Sequence, residues 1–274
     1  MSSVVQLGKL ALGEGHPLFL ITGPCVIESE RHTLRLAERL TAVTRELRIP
    51  FIFKASYDKA NRTSLGSHRG PGLERGLKVL ARVKQEFGVP VLTDVHETSQ
   101  VRPAAEVCDV IQIPAFLSRQ TDLLLEAGRA GAVVNIKKGQ FLSPYDIRHA
   151  VEKVASTGNR RILVTERGAS FGYNNLVVDF RGLAIMRELG YPVVLDVTHS
   201  LQLPGGEGTR SGGEPQFIEP LGRAGVAAGV DGLFMEVHDN PARALSDGAS
   251  ALNLRRFKPL ASRLRRLGGF VRRL

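Results

Sequence analysis

The sequence predicts a (β/α)8 TIM barrel with a short N-terminal β-hairpin, built as a single domain over residues 1–274. Three observations predict it. Eight short runs rich in β-branched and aliphatic residues recur along the chain. Amphipathic segments lie between them, so strand alternates with helix and the sheet should be parallel. The runs are almost continuously apolar, as strands buried on both faces are, and eight such units in roughly 250 residues match a closed barrel. The competing architecture is a doubly wound open sheet, but no G-x-G-x-x-G follows the first run.

Within the 1–16 extension, "VVQLGKLAL" with Gly8 near its bend reads as a hairpin that could cap the barrel's lower end. The first run, 18–22 "LFLIT", leads through Gly-Pro to Cys25, and 32–48 "HTLRLAERLTAVTRELR" has helical spacing. The second, 50–54 "PFIFK", ends in Lys54; the long connection 56–72 "SYDKANRTSLGSHRGPG" then supplies Lys59, Asn61 and Arg62. A second amphipathic segment, 73–87 "LERGLKVLARVKQEF", precedes the third run, 90–95 "PVLTDV", which gives Asp94 and His96. The fourth, 110–114 "VIQIP", carries Gln112; Cys108 precedes it at a helix-to-strand junction on the opposite side and reads as buried. The fifth, 132–137 "AVVNIK", gives Lys137, with Lys138 facing outward because adjacent strand residues alternate. The sixth, 161–166 "RILVTE", gives Glu166 and Arg167. The seventh, 192–197 "PVVLDV", gives Asp196 and His199, before a second long connection, 200–215 "SLQLPGGEGTRSGGEP". The eighth, 232–237 "GLFMEV", gives Glu236 and His238. Both long connections follow strands, so both belong to the C-terminal face, where barrel active sites collect.

Composition narrows the function classes. Two cysteines are too few for a disulfide scaffold, and no run approaches the length of a membrane span. The N-terminus lacks the pattern of a signal peptide, so a cytoplasmic protein is expected. The net charge of +10 suggests nucleic acid until its position is considered. Residues 251–274 hold eight Lys/Arg and no acid. Leu254, Phe257, Leu260, Leu264 and Leu267 recur there at helical spacing, with Pro259 expected to start or interrupt the helix. A terminal helix with a solvated arginine face explains that segment, and no interleaved aromatic stripe favours nucleic acid.

Ionisable groups at nearly every strand's C-terminal end are costly to bury unless they pair with each other, a ligand or a metal. Lys54, Lys59, Arg62, Lys137 and Arg167 form a cationic set suited to phosphate or carboxylate. In a closed ring the first, seventh and eighth strands are neighbours. Cys25, His199 and Glu236 then meet, and Asp247 can complete a four-ligand set for zinc, iron or manganese. Cys25 as a buried filler and His238 as a rival ligand stay open from spacing alone.

At these residues the sequence resembles the 3-deoxy-D-manno-octulosonate 8-phosphate synthase family. The matching stretches are "FKASYDKANRTS", "RGPGLERGL", "TDVHE", "IQIPAFLSRQTDLL", "NIKKGQF", "TERGASFGYNNLVVDFR", "DVTHSLQLPGG" and "FMEVH…ALSDG", between residue 18 and about residue 250. The resemblance implies condensation of phosphoenolpyruvate with D-arabinose 5-phosphate, for lipopolysaccharide synthesis, by a homotetramer. It implies that Lys54, Gln112, Lys137 and Arg167 bind phosphoenolpyruvate. Lys59, Asn61 and Arg62, with Thr63 and Ser64 adjoining, would hold the pentose phosphate, and Arg119 would reach the sugar phosphate of a neighbouring subunit. Lys137, His96, His199 and Asp247 are the expected catalytic residues. The family has metal-dependent and metal-independent branches, with cysteine or asparagine after the first Gly-Pro. Cys25, with His199, Glu236 and Asp247, implies a divalent metal ion.

Three rivals accompany this reading. A related synthase acts on erythrose 4-phosphate, with "KPRTS" where this chain has "KANRTS". A Schiff-base aldolase would use Lys137 as nucleophile. A basic nucleic-acid-binding protein would use the C-terminal arginines.

Overall fold

The structure, a computed structural model, describes residues 4–62, 64–206 and 211–273. It opens with an antiparallel hairpin, β1 (Val5–Leu7) and β2 (Leu10–Leu12), turning at Gly8, whose φ of 57° suits a residue without Cβ. The alternating part follows as β3 (Phe19–Gly23), α1 (Glu30–Glu46), β4 (Phe51–Lys54), α2 (Leu73–Phe87), β5 (Val91–Asp94), α3 (Thr98–Val107) and β6 (Val110–Ile113). It continues as α4 (Thr121–Arg129), β7 (Val133–Lys137), α5 (Ile147–Ala155) and β8 (Ile162–Glu166). A small ribbon of β9 (Ala169–Ser170) and β10 (Leu176–Val177) precedes α6 (Phe180–Arg187) and β11 (Val193–Asp196). A second ribbon of β12 (Gln202–Leu203) and β13 (Gly212–Gly213) precedes α7 (Ile218–Ala227) and β14 (Gly232–His238). β15 (Leu252–Asn253) leads into α8 (Leu254–Val271).

Eight parallel strands close into a ring: β3, β4, β5, β6, β7, β8, β11 and β14, with β14 pairing β3 on one side and β11 on the other. An open sheet is thereby excluded. The expected runs and these strands coincide closely, because strands covered on both faces must be apolar throughout. Helix α1 starts where Ser29 accepts the His32 amide, and it buries Leu36, Ala37, Leu40 and Thr44 against the barrel.

Two apolar clusters result. The larger lies between strands and helices. The smaller fills the barrel's lower interior with Phe19, Ile21, Ile52, Leu92, Val110, Val133, Leu163, Val194 and Phe234. Val5, Leu7 and Leu12 of the hairpin belong to that interior cluster, so the hairpin plugs the lower end as expected.

One expectation needs correction. Pro259 neither starts nor interrupts α8 but lies within it. It sits early in the helix, and the apolar face of Phe257, Leu260, Ala261 and Leu264 is buried on both sides of it, which holds the segment helical. The exposed face carries the arginines and lysine, some of them paired with neighbouring helices, as in Lys258–Glu46 and Arg263–Glu219. No helix among the described residues is long and apolar enough to cross a membrane.

Candidate active site

All eight barrel strands point the same way, so their last residues converge on one rim. They surround a cavity of about 570 Å³ lined by Lys54, Lys59, Asn61, Arg62, Asp94, His96, Gln112, Lys137, Arg167, His199 and Asp247, among others. Cys25 and Glu236 are buried beneath it, as its floor, bonded to the lining residues Asp247 and Lys54 respectively. Thr63 lies outside the described residues. Neither Ser64 nor Arg119 lines the cavity; Arg119 borders a separate depression with His149 and Lys153.

Ring closure brings the chain's two ends together at the floor. Cys25 Sγ lies 3.1 Å from Asp247 Oδ2 and 3.0 Å from Ser246 Oγ. One ligand atom from each of Cys25, Glu236 and Asp247 can be chosen so that all lie within 4.8 Å of one another. His199 stands just outside that trio, its Nε2 3.4 Å from Glu236 Oε1. Its Nδ1 is 2.7 Å from Asp196 Oδ2, which fixes a proton there and leaves Nε2 as a lone pair. Burial pushes the His199 pKa down, favouring that neutral form. Burial, then the Asp247 and Glu236 carboxylates, push the Cys25 thiol up. Asp247 is held well below the usual carboxylate range although burial opposes it, chiefly by the Lys59 cation. Its backbone has a φ of 49°, a left-handed conformation that an aspartate tolerates better than most residues. Glu236 Oε2 is buried without a hydrogen-bond partner. Lone pairs from sulfur, nitrogen and oxygen thus face one small volume with too few donors between them. The residues fit a divalent cation.

The cations around this floor are strongly engaged. Lys54 Nζ donates to Glu236 Oε1 at 2.7 Å and to the Cys25 carbonyl at 2.8 Å. Lys137 Nζ sits 2.6 Å from Asp196 Oδ2 and 3.8 Å from the centre of the Phe234 ring. Burial pushes its pKa down, while the Asp196 charge opposes that. Lys59 and Arg62 approach Asp247 at 3.7 and 3.8 Å. Arg167 donates through Nη2 to Gln202 at 2.8 Å, and its Nη1 is buried without a partner. His96 Nε2 lies 3.0 Å from Asp94, and its Nδ1 is buried and unpartnered.

Sequence reasoning noted Asp196 at a strand end but gave it no role, and it passed over Ser246, Gln202 and Phe234. The signal for Asp196 was present: an acid closing a buried apolar strand requires a cation. Lys138 does face away from the cavity, but it is buried, with Nζ 3.5 Å from Glu166 and donating to the Leu142 carbonyl at 3.1 Å. His238 does not join the floor. It groups with Glu28 and His32, away from the cavity. β14 runs past the ring to pair with β15 through Val237 and His238, which carries His238 out of the site.

The sequence pattern of the DAHP synthetase I family matches residues 3–269, taking in every barrel strand and every residue of the site. The chain belongs to the DAHP synthetase I family. Its relatives include proteins named 2-dehydro-3-deoxyphosphooctonate aldolase. That of Syntrophotalea carbinolica is 59% identical over 99% of this chain and 98% of its own length. That of Trichlorobacter lovleyi is 57% identical over 99% and 100%. That of Geobacter sulfurreducens is 54% identical over the same shares. The DAHP synthetase I family thus accounts for the chain almost end to end, basic C-terminal helix included.

Proposed function

We propose that this chain condenses phosphoenolpyruvate with D-arabinose 5-phosphate and water, giving 3-deoxy-D-manno-octulosonate 8-phosphate and inorganic phosphate. It would be a cytoplasmic transferase of lipopolysaccharide biosynthesis. The observation that carries this reading is one cavity walled by Lys54, Lys59, Arg62, Lys137 and Arg167, in a chain that aligns end to end with 2-dehydro-3-deoxyphosphooctonate aldolases. Two phosphorylated substrates repel each other, and a preformed cationic wall offsets that repulsion without reorganising during the reaction.

The reaction assigns the residues their work. Lys54, Gln112, Lys137 and Arg167 hold phosphoenolpyruvate; Arg167 Nη1, buried without a partner, is a free donor for its carboxylate or phosphate. Lys59, Asn61 and Arg62 hold the pentose phosphate; Thr63 and Ser64 adjoin them in sequence, and Ser64 does not itself line the cavity. C3 of phosphoenolpyruvate attacks the sugar aldehyde and forms the new C–C bond. His96, whose pKa the bond to Asp94 raises against burial, donates as imidazolium from Nδ1 to the aldehyde oxygen as that oxygen gains charge. Water adds at C2 and loses a proton, giving a tetrahedral hemiketal phosphate. That species collapses with C–O cleavage, releasing inorganic phosphate and leaving the C2 ketone.

Cys25, His199, Glu236 and Asp247 would hold a divalent ion, and a thiol, an imidazole and two carboxylates around one floor support a reading in the metal-dependent branch. When bound, such an ion supplies Lewis acidity for the aldehyde oxygen or the attacking water. Glu236 and Asp247, if engaged as ligands, would leave Lys54, Lys59 and Arg62 free for the substrates' anionic groups.

Phosphoenolpyruvate labelled with oxygen-18 in its bridging position tests the scheme: the label should leave with phosphate, and label retained in the ketose would reject it. Arabinose 5-phosphate should drive phosphate release far better than erythrose 4-phosphate; the reverse would make the chain the related synthase that acts on erythrose 4-phosphate. Borohydride with substrate should leave Lys137 unmodified, because its amine is held in an ion pair with Asp196.

A homotetramer belongs to the same proposal. Phe116, Phe141, Tyr145 and Phe171 are more than half exposed, and each follows a barrel strand, so they gather on the rim of the C-terminal face. Arg119 is available there to reach a neighbouring subunit's substrate. Light scattering should give four times the 29.8 kDa chain mass.

A further inference from the structure

A second cluster of ligating side chains lies outside the cavity, where the segment after β3, the first turn of α1 and the end of β14 meet. It contains Glu28, His32, His238 and Asp239. One ligand atom from each of Glu28, His32 and His238 can be chosen so that all three lie within 4.8 Å of one another. Both imidazoles are buried, with ring centroids 4.7 Å apart.

The hydrogen bonds fix where the lone pairs point. His32 Nε2 is 3.0 Å from Asp239 Oδ1, so the ring proton sits on Nε2 and Nδ1 presents a lone pair. That Nδ1 is buried and has no hydrogen-bond partner; it faces Glu28 Oε2 at 3.9 Å. Two acceptors confront each other with no donor between them. The other Glu28 oxygen is 3.2 Å from His238 Nε2. His238 Nδ1 accepts the Asn240 amide at 2.9 Å and also lies 3.3 Å from Asp239 Oδ1. Its ring proton can therefore move to Nδ1, facing Asp239 in place of the amide bond, and free Nε2 as a ligand. Asp239 orients the His32 ring and lies close enough to His238 Nδ1 to accept from it in the second tautomer, as carboxylates do for metal-binding histidines. Arg35 pairs with Asp239 and neutralises it, while Glu28 brings the negative charge.

We propose that Glu28, His32 and His238 form a second divalent-cation site, distinct from the one at the cavity floor. Two imidazoles and a carboxylate suit a borderline ion such as zinc or cobalt(II). None of the three lines the cavity. Glu28 Oε1 also accepts the Leu245 amide at 2.8 Å, immediately before Ser246 and Asp247. An ion here clamps the start of α1 and the end of β14 to the connection that carries Asp247. Its role is structural support of the active site rather than chemistry.

Cobalt(II) titration of the metal-stripped full-length chain tests this, with stoichiometry read by calorimetry and ligand type by absorption. A thiolate charge-transfer band marks the Cys25 site; the second site has no sulfur and adds only visible ligand-field bands. The wild type should bind two equivalents. His32→Gln should bind one fewer with the thiolate band intact, and it should remove one equivalent from Cys25→Ala protein as well. Glu28→Gln should repeat the result if His32→Gln fails to fold. Unchanged stoichiometry on losing His32 or Glu28, in both backgrounds, would overturn the proposal. A wild type that binds one equivalent, all of it lost with Cys25, would overturn it too.

Discussion

Asp196 is wholly buried and bonded to both Lys137 Nζ and His199 Nδ1, at 2.6 and 2.7 Å. Asparagine there keeps the shape and removes the charge. Lys137 then becomes a buried cation without compensation, at a cost of about 3–5 kcal/mol. His199 loses the acceptor that sets its tautomer, an effect worth on the order of 10⁴ in kcat where a triad carboxylate is replaced by its amide. We expect Asp196→Asn to lower the urea midpoint and to reduce kcat far more than it changes KM; wild-type values for both would remove Asp196 from the account. The His96–Asp94 pair makes a separate prediction. For His96, burial pulls the pKa below its ordinary 6.5, but the bond to Asp94 outweighs it and the net shift is upward. Asp94, in spite of burial, is held far below its ordinary 3.8 by His96. The aspartate's stabilising share is present above about 3.8 and fades as pH falls toward its folded value; the histidine's is present below about 6.5 and fades as pH rises through its raised folded value. Stability from this pair is therefore greatest at mildly acidic pH. His96→Gln should flatten the decline in stability between neutral and mildly alkaline pH, and an unaltered slope would contradict the pairing.

Elements set how precisely these side chains arrive. β3 and β4 approach so closely that a Cβ on Gly23 would lie 2.0 Å from the Lys54 carbonyl oxygen. Backbone cannot yield as a side-chain tip does, so Gly23→Ala should push β3 from β4, at about 1–3 kcal/mol. Cys25 lies two residues on, so the same variant should weaken metal binding; unaltered stability and affinity would show that the contact relaxes freely. Element by element, the eight strand runs were legible because burial on both faces leaves a continuous apolar signal; 232–237 became Gly232–His238, for example. The two-residue strands β9, β10, β12, β13 and β15 were not, since so short a bridge has no period to detect. The unbroken helix through Pro259 was not legible, because local propensity opposes it and only the packing of α8 on the barrel holds it.

At the scale of the whole molecule, closure of the ring turns residues more than 200 positions apart into one site. The pairing of β14 with both β3 and β11 puts Cys25, His199, Glu236 and Asp247 around one floor. The meeting of Cys25, His199 and Glu236 could be read in the sequence because the first, seventh and eighth strands of a closed ring are neighbours, whereas Asp247 lies in the connection beyond β14. The Lys54–Glu236 and Lys137–Asp196 pairs could not, because they join different strands across the barrel mouth and depend on side-chain reach rather than strand order. His238 was ambiguous for a similar reason: period two put it beside Glu236, but the strand leaves the ring before reaching it. The most direct measurement is phosphate release from phosphoenolpyruvate and arabinose 5-phosphate, before and after metal is stripped and then restored with single divalent ions. Stripped protein should lose turnover and regain it with zinc, iron or manganese. Full turnover by protein shown to be metal-free would contradict a cation held by Cys25, His199, Glu236 and Asp247.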